Sequence, residues 1–397
     1  MGNWVLADHG DTGHPRYFRR AGDAIDAMTG APTDRDNTGG VRRPTDRGAT
    51  MADVAHAAGV SHQTVFRVVN EMSGVKAATR LRVLAAVREL GYRRNHAARS
   101  LVTGHSQVLG VITLNTPLYG PASALTALER AAYQAGYFLS VVTLRSTEPA
   151  AVREAVDRLV AHGVEGVAVI APVVSSKSLL HEIPADLPLV AIEGADVAGV
   201  GVVGVDQTVG ASVATAFMLE QGHETVWHVA GPPEWLEAGR RVDGWRSTLE
   251  AHGAEAPPPL RGDWSARSGF EAGKMLARIS DLTAVFAAND SMAVGVLRAL
   301  HEAGRAVPAE VSVVGFDDVP ESPYFNPPLT TIRQDFDEVG RRSLGALLQQ
   351  VQAGVRTGER CVVDPTLVVR KSTASAPRSV VQQSAISNGE EIQDFHG

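Results

Sequence analysis

The sequence predicts a two-part fold, with a small all-α head near the N-terminus and a larger α/β body whose parallel sheets are flanked by helices. Three helical signals lie close together between residues 50 and 91. From residue 108 onwards, short apolar segments alternate with amphipathic helical segments, which is typical of parallel sheets covered on both faces. This pattern exceeds what one simple doubly wound sheet needs, so we expect the body to have two lobes.

The head is predicted from residues that start and stop helices. Thr50 followed by Asp53 indicates a capping box at a first helix, and Gly59 permits the tight turn that ends it. Ser61 is a favourable N-cap for a second helix. Apolar side chains at helical spacing follow: Val65, Val68 and Val69 in the second helix, and Leu81, Leu84, Val87 and Leu90 in a third. The first two helices have the spacing of a helix-turn-helix.

The elements of the body are predicted from short apolar runs and from longer periodic segments between glycines. Strands are expected at Val108–Leu114, Phe138–Leu144, Val164–Ile170, Leu189–Ile192, Thr225–Ala230, Ala284–Ala287 and Val311–Gly315. Helices are expected at Ser123–Ala135, Val152–Ala161, Val209–Gln221, Gly239–His252, Ser268–Ile279, Ser291–Ala303 and Phe336–Gln350.

The formal net charge of −7 conceals an asymmetry. Residues 49–105 carry 8 Lys and Arg against 3 Asp and Glu, whereas residues 106–397 carry 22 against 34. A basic segment attached to an acidic body predicts a module that meets a polyanion. An ordinary solvated charged face is the alternative, and charge by itself leaves both open.

Composition argues against membrane and secreted proteins. None of the apolar runs approaches the roughly 18 residues that a membrane-spanning helix needs. Residues 1–20 contain no apolar h-region, so we expect no secretory signal, no membrane partner and a cytoplasmic location. The single cysteine, Cys361, excludes an intrachain disulfide and is expected to be a small buried hydrophobic residue.

The second helix of the head presents side chains that suit DNA. Gln63 and Arg67 are of the types that hydrogen-bond base edges in the major groove, and His62 and Asn70 accompany them. Hydroxyls and backbone amides near a helix start, as at Ser61 and Thr64, can meet phosphates. The segment therefore predicts contact with double-stranded DNA.

The run DVAHAAGVSHQTVFRVVN, followed by TRLRVLAAVRELGYRRNHAARSL, resembles the lactose/galactose repressor (LacI) family, and the resemblance extends through the body to Lys371. The strings GDWSARSGF and PPLTTIRQDF are most similar to its lactose-repressor branch. The resemblance implies a sequence-specific, homodimeric transcriptional regulator with a two-lobed body like that of periplasmic binding proteins. It implies operator contacts from Ser61, His62, Gln63, Thr64 and Arg67, and we expect Thr50 and Asn70 to contact DNA as well.

Two features of the resemblance bear on DNA binding. Phe66 stands where the family usually has serine, so the phosphate contact of that serine is not expected here. In our interpretation, Phe66 packs instead on a sugar or a base methyl group of the DNA. Asn95–Leu101 matches the family's hinge helix, with Asn95, Ala98 and Leu101 at its DNA-contacting positions. In the family, this leucine inserts into the minor groove. The insertion unstacks two bases, which costs free energy, and bends the DNA so that more contacts form. An ordinary linker helix is the alternative.

The body contains candidate ligand-binding residues at strand ends, where α/β sheets place ligands. Glu193, the pair Asn289–Asp290 and Asp317 follow predicted strands, Arg241 starts a helix, and Trp264 lies in a loop. Planar polar groups suit paired sugar hydroxyls, and tryptophan suits the apolar face of a sugar.

The resemblance implies a sugar effector, a galactoside or a related saccharide, in a cleft between the lobes. It places Leu118, Glu193, Arg241, Trp264, Asn289, Asp317, Gln334 and Phe336 at the pocket, with Gly120 and Pro121 near its mouth. Glu193 stands where the lactose-repressor branch has aspartate, and the longer side chain shifts one hydroxyl contact.

The predicted division of the chain has five parts. Residues 1–48 are a disordered extension, or lie before the true translation start. Residues 49–94 form the helix-turn-helix domain, 95–106 the hinge helix, 107–373 the two-lobed body and 374–397 a polar tail. The tail lacks leucine, which favours a dimer over a tethered tetramer.

Other functions are weighed against this one. A free solute-binding protein would have a signal peptide and no basic head, and an α/β enzyme would have a coherent acid–base or cofactor constellation. The Gly199–Gly204 segment matches G-x-G-x-x-G, but its glycines precede a strand end, which is the wrong order for a dinucleotide site. We therefore expect no catalytic site, cofactor or metal. An activator, or a repressor that needs a corepressor, remains possible within the family.

Overall fold

The structure is a computed structural model that describes residues 49–93 and 104–377. These residues belong to two separate compact units, the head and the body. The predicted extension 1–48, most of the predicted hinge helix and nearly all of the polar tail lie outside the described residues.

The head consists of three helices, α1 (Met51–Ala58), α2 (His62–Val69) and α3 (Ala77–Glu89). The capping box at Thr50 and Asp53 is confirmed, because the side chain of each residue bonds the other's backbone amide. Gly59 ends α1 in the left-handed region at φ 61°, which glycine adopts without a steric penalty.

The helical period of α3 differs from the prediction in which side chains it buries. Val83 and Ala86 are buried, whereas Leu81 is 65% exposed and Leu84 and Leu90 are more than a third exposed. The shorter side chains of Val83 and Ala86 let α3 approach α1, and they join Val54 and Val65 in the core of the head. The leucines lie towards solvent.

The described body contains eight further helices and twelve strands. The helices are α4 (Tyr119–Gln134), α5 (Pro149–Ala161), α6 (Ser176–His181), α7 (Gln207–Glu220), α8 (Leu236–Ala251), α9 (Ala266–Leu276), α10 (Asp290–Glu302) and α11 (Phe336–Ala353), with a 3-10 turn at Ser322–Tyr324. The strands are β1 (Val108–Leu114), β2 (Phe138–Leu144), β3 (Val167–Ile170), β4 (Leu189–Ile192), β5 (Gly201–Val205), β6 (Trp227–Ala230), β7 (Leu260–Arg261), β8 (Ala284–Ala287), β9 (Ser312–Asp317), β10 (Thr330–Arg333), β11 (Arg360–Val363) and β12 (Thr366–Val368).

The strands form two six-stranded sheets, which confirms the predicted two-lobed α/β body. The first lobe has the order β11-β5-β4-β3-β1-β2, and the second has the order β12-β10-β9-β8-β6-β7. All the described pairs are parallel except β10 with β12. Parallel strands must be covered on both faces, and each sheet has an apolar cluster on either side.

The body chain passes between the lobes three times within residues 104–377. It leaves the first lobe after β5, returns after β10 to add α11 and β11, and leaves again after β11 to add β12. The passages lie at Asp206, at Gln334–Asp335 and at Asp364–Pro365. Each lobe is therefore built from two separate stretches of sequence.

The elements that sequence periodicity did not predict are short or lie at sheet edges. They are α6, β5, β7, β10, β11 and the antiparallel edge strand β12. A run of two to six residues carries too few apolar positions to show a period. Cys361 lies on the edge strand β11 and is half-buried rather than fully buried, with its Sγ 3.4 Å from Nη1 of Arg342.

The described end of the body extends past the predicted boundary at residue 373. The carbonyl of Ala374 accepts from the hydroxyl of Ser312 at 3.1 Å, and the amide of Ala376 donates to the carbonyl of Gln221 at 2.9 Å. These bonds attach the start of the predicted tail to the second lobe. Within the described residues, no helix is long and apolar enough to cross a membrane.

His228 in β6 makes the stability of the body sensitive to acid. Its ring stacks on Phe286 at 4.6 Å, its Nδ1 bonds the Phe286 carbonyl, and burial lowers its pKa to about 3. The folded state holds His228 neutral where the unfolded chain binds a proton, so we expect stability to fall by about 1.4 kcal/mol per pH unit below pH 6 from this group alone.

A His228→Phe variant keeps the stack and removes the titration. Urea unfolding at pH 7, 6 and 5 is expected to show a shallower loss of stability in this variant than in the wild type, and the exposed His301→Phe change serves as the control. Equal slopes in all three proteins would refute the assignment to His228.

Candidate functional site

The recognition surface predicted on α2 is a continuous exposed face. At about 100° per residue, His62, Gln63, Phe66 and Arg67 fall within one arc of roughly 140°. His62, Gln63 and Arg67 are exposed, and Phe66 is partly buried. The opposite side of α2 is buried through Val65, Val68 and Val69. The fold therefore presents these four side chains together.

Four other predicted DNA contacts already have partners within the head. The Thr50 hydroxyl bonds Asp53, and the Ser61 hydroxyl accepts from the amide of Thr64 at 3.2 Å and bonds its hydroxyl at 2.9 Å. The Asn70 side chain donates to the carbonyl of Phe66 at 2.8 Å. These bonds fix the ends of α1 and α2, which positions the exposed face. Asn95, Ala98 and Leu101 lie outside the described residues.

A small pocket lies between the two lobes of the body. The first lobe contributes the start of α4, and the second lobe contributes residues at the carboxyl ends of its strands and from α8. The lining residues are Leu118, Tyr119, Gly120, Pro121, Trp235, Glu237, Arg241, Trp264, Asn289, Asp317 and Gln334. Six of the eight predicted effector residues are thus brought together, all except Glu193 and Phe336.

Arg241 is the central polar residue of the cavity wall, and only 3% of its surface is exposed. Its Nε donates to Gln207 Oε1 at 2.9 Å, its Nη1 donates to the Ala288 carbonyl, and its Nη2 lies 3.7 Å from Asp317 Oδ1. Its guanidinium stacks over the ring of Phe316 at 3.8 Å. A buried arginine needs such partners, because an unpaired buried charge is very unfavourable.

The polar network reaches two of the three passages between the lobes. Gln207, just after the first passage, donates to Gln334 Oε1 at 2.8 Å, and Gln334, at the second passage, donates to Asp317 Oδ1 at 2.7 Å. Burial raises the pKa of Asp317 to about 7, although Arg241 acts in the opposite direction. The network therefore connects the cavity wall, at Asp317 and Gln334, with these two passages.

Asn289 and Trp264 form one unit of the cavity wall. Asn289 caps α10 by accepting from the Met292 amide at 2.8 Å, and its side-chain amide donates to the Trp264 carbonyl at 3.1 Å. Trp264 has φ 71° and is 5% exposed. A Cβ on Gly231 would lie 2.2 Å from the indole, so the ring requires glycine at that position.

Glu193 and Phe336 lie behind the cavity surface. Glu193 is 3% exposed, and its carboxylate accepts from the Val205 amide at 2.6 Å, which ties β4 to β5. Phe336 packs edge-on against Tyr119, with ring centroids 6.0 Å apart, beneath Gly120. Both residues support the wall in this structure and do not line it.

Sequence reasoning missed four residues at or near the cavity: Tyr119, Gln207, Trp235 and Glu237. Glu237 lies one turn before Arg241 on α8, a spacing that places both on one helix face. Asp290 also differs from the expectation for the Asn289–Asp290 pair. It points into the second lobe, where it accepts from the hydroxyls of Ser322 and Thr331.

The discounted motifs do not form sites in the described residues. The second and third glycines of the G-x-G-x-x-G match, Gly201 and Gly204, lie within β5 rather than in a loop between strand and helix. No group of three or more metal-ligating side chains occurs within the described ranges.

Two family models match separate parts of the chain. Residues 50–95 match the model of the lacI family of bacterial regulatory proteins, and residues 215–373 match a periplasmic binding protein-like domain. The chain is 34% identical over 332 residues to the lactose operon repressor of Escherichia coli (strain K12), which covers 83% of this chain and 92% of that repressor.

Solved structures agree. The lac repressor dimer bound to operator and the anti-inducer ONPF has a TM-score of 0.73 at 33% identity, covering 83% of this chain and all of that one. The complex of the transcriptional regulator CelR with cellobiose has a TM-score of 0.59 at 29% identity, covering 82% and 99%. On these matches, which span both the head and the body, the chain belongs to the lacI family of bacterial regulatory proteins.

Proposed function

We propose that this protein is a cytoplasmic, homodimeric repressor of transcription that releases its operator when a saccharide occupies the cavity between its lobes. The observation that carries the proposal is the pairing of two features in one chain. The head presents the exposed α2 face, and the body has a cavity lined by Arg241, Asp317 and Asn289 beside two tryptophan rings. Relatives with both parts are named as operon repressors.

The cavity has the chemistry that sugars require. Carboxylate, amide and guanidinium groups form planar, often bidentate hydrogen bonds with neighbouring hydroxyls. The rings of Trp235 and Trp264, 6.0 Å apart and nearly perpendicular, provide aromatic surface for the C–H face of a sugar. CelR, with the same two-part fold, is solved with cellobiose, which supports a saccharide as the effector here.

The binding of operator and the binding of effector are coupled if the body has two conformations and each positions the heads differently. A ligand shifts such an equilibrium only by its difference in affinity for the two states. The network from Gln207 through Gln334 to Asp317 spans two passages between the lobes, so a ligand there has different contacts when the lobes move. The same linkage would serve a corepressor, and the sign of the response is set by which state the ligand prefers.

The alternatives lack supporting observations. A free solute-binding protein does not explain the match of residues 50–95 to a regulatory-protein family. An enzyme does not explain the close relatives, which are named as repressors.

The test is a titration of the full chain onto DNA from its own upstream region at fixed salt, with and without a panel of sugars. Tight binding that one sugar weakens supports the proposal and names the effector. Binding that a sugar tightens reverses the linkage and contradicts the inducible mechanism. Failure to bind any specific DNA sequence overturns the regulator proposal.

Arg67 is expected to read a base. Replacing it with alanine should cost roughly 1–3 kcal/mol of operator binding and relax the preference at one base pair, because a bidentate contact is lost. Competition with single-base operator variants measures the preference. The control is Arg82→Ala, which removes one exposed charge from α3 and should leave the base preference as it is. An Arg67→Ala protein with wild-type affinity and preference would eliminate Arg67 as a reader.

A further inference from the structure

The carboxyl group of Glu237 is the starting point. Glu237 lies in the first turn of α8, lines the cavity and is 7% exposed. Within the described residues, its side chain has no hydrogen bond and no ion pair. The other two carboxyls in this region are engaged, Glu193 with the Val205 amide and Asp317 with Gln334. An unpaired carboxylate so deeply buried is strongly disfavoured.

The charged groups around Glu237 do not neutralise it. Glu193 and Asp317 face it from the ends of β4 and β9, and Arg240 and Arg241 face it from its own helix. Arg241 is engaged with Gln207, Ala288 and Asp317, and Arg240 lies 3.6 Å from Asp196. Both neighbouring guanidiniums thus have other partners.

Burial raises the pKa of Glu237 to about 8, with Glu193 and Asp317 adding to the rise and Arg241 and Arg240 opposing it. The protonated form of Glu237 is therefore favoured near neutral pH. Two occupants can satisfy the group. A neutral sugar leaves the proton in place, whereas a cation replaces it and removes the excess of negative charge.

One further feature of the wall favours the cation. The Trp235 ring borders the same space as Glu237, and an aromatic face attracts positive charge through the ring quadrupole, as the Trp264 ring already does for the Arg241 guanidinium at 5.6 Å.

We propose that the effector is a saccharide bearing a protonated amine, as in an amino sugar, and that its ammonium group pairs with the Glu237 carboxylate. The inference rests on the proposed function of the cavity as a saccharide site and narrows its ligand class. On binding, Glu237 releases its proton to solvent and the ammonium takes its place. Glu237 is then the residue that selects amino sugars over their neutral counterparts.

The experiment is calorimetric titration of the full chain with matched sugars. Glucosamine, galactosamine, mannosamine and the β-1,4-linked dimer of glucosamine are each compared with the N-acetylated and the hydroxyl counterpart, which keep the ring and lose the charge. At least one amine is expected to bind roughly 30-fold or more tightly than both of its counterparts, the effect of pairing a buried charge. Its affinity should rise by up to about tenfold from pH 6 to pH 7, because binding releases a proton.

The outcomes separate this inference from the proposed function. Neutral sugars that bind as well as the amines, with no proton release, would overturn the amine proposal and leave the saccharide site standing. Binding of no sugar in either class, by a protein that still binds its operator, would overturn both.

The Glu237→Gln variant tests the residue itself. It keeps the size of the side chain and removes its charge, so the preference for the amine and its rise between pH 6 and pH 7 should both disappear. The control is Glu234→Gln, an exposed carboxylate one turn earlier, which should keep both. A purely structural role would weaken all sugars together, and a Glu237→Gln protein that still prefers the amine would refute the assignment.

Discussion

An Arg241→Ala protein is expected to bind its operator and to ignore the sugar. The substitution removes the group that joins Gln207, the Ala288 carbonyl and Asp317, and it leaves Asp317 buried without a positive neighbour at 3.7 Å. Truncating one member of a buried charged pair typically costs 2–5 kcal/mol or more, roughly 30-fold to several thousand-fold in effector affinity. Titration of a labelled operator complex with the inducing sugar measures the response.

The matched control is Arg246→Ala, on the same helix but exposed. It removes the same charge and should leave induction unchanged. Normal induction in the Arg241→Ala protein would show that the guanidinium is not part of the effector site. A loss of operator binding as well would point instead to general damage to the body, which circular dichroism detects separately.

Asp290→Ala is expected to have the largest effect on stability. Asp290 is fully buried at the start of α10, and its carboxylate accepts from the Ser322 hydroxyl at 2.5 Å, the Thr331 hydroxyl at 2.6 Å and the Val319 amide at 3.0 Å. Alanine leaves two buried hydroxyls and one partly buried amide without this partner, and each buried donor costs about 1–3 kcal/mol. We expect the free energy of unfolding to fall by roughly 3–5 kcal/mol.

Urea unfolding at neutral pH measures this loss, with the exposed Asp281→Ala change as the control. The loop that Asp290 holds follows β9 and Asp317, so effector affinity should fall with stability even though Asp290 does not line the cavity. A loss below about 1 kcal/mol would mean that water or a local shift replaces the carboxylate.

Sequence patterning predicted most of the parallel strands but missed β5 and β10. Four of the predicted strands, β1, β2, β4 and β8, have the expected bounds, because each is an apolar run between turn residues. Patterning did not predict the edge strand β12, which pairs antiparallel and has little apolar periodicity. It also predicted the wrong buried face for α3. The distance between two packed helices depends on the size of their side chains, and a pattern of apolar positions does not include size.

The candidate site was predictable as far as its polar residues follow strands. Asn289 and Asp317 were found in this way, and the resemblance to a family added Gln334. Glu237 was not found, because its significance depends on what surrounds it. A glutamate in the first turn of a helix is common and stabilising. Only the fold shows that this one faces a cavity and has no hydrogen bond or ion pair within residues 49–93 and 104–377.

The interleaving of the two lobes bears on how the chain folds as it leaves the ribosome. The first lobe cannot add β11 to the edge of its sheet until residue 363 has been made, and the second cannot close on β12 until residue 368. Domains synthesised as single stretches fold from the N-terminus as they emerge. Here, nearly the whole body must be synthesised before either lobe is complete, and the head, contained in residues 49–93, is finished long before both.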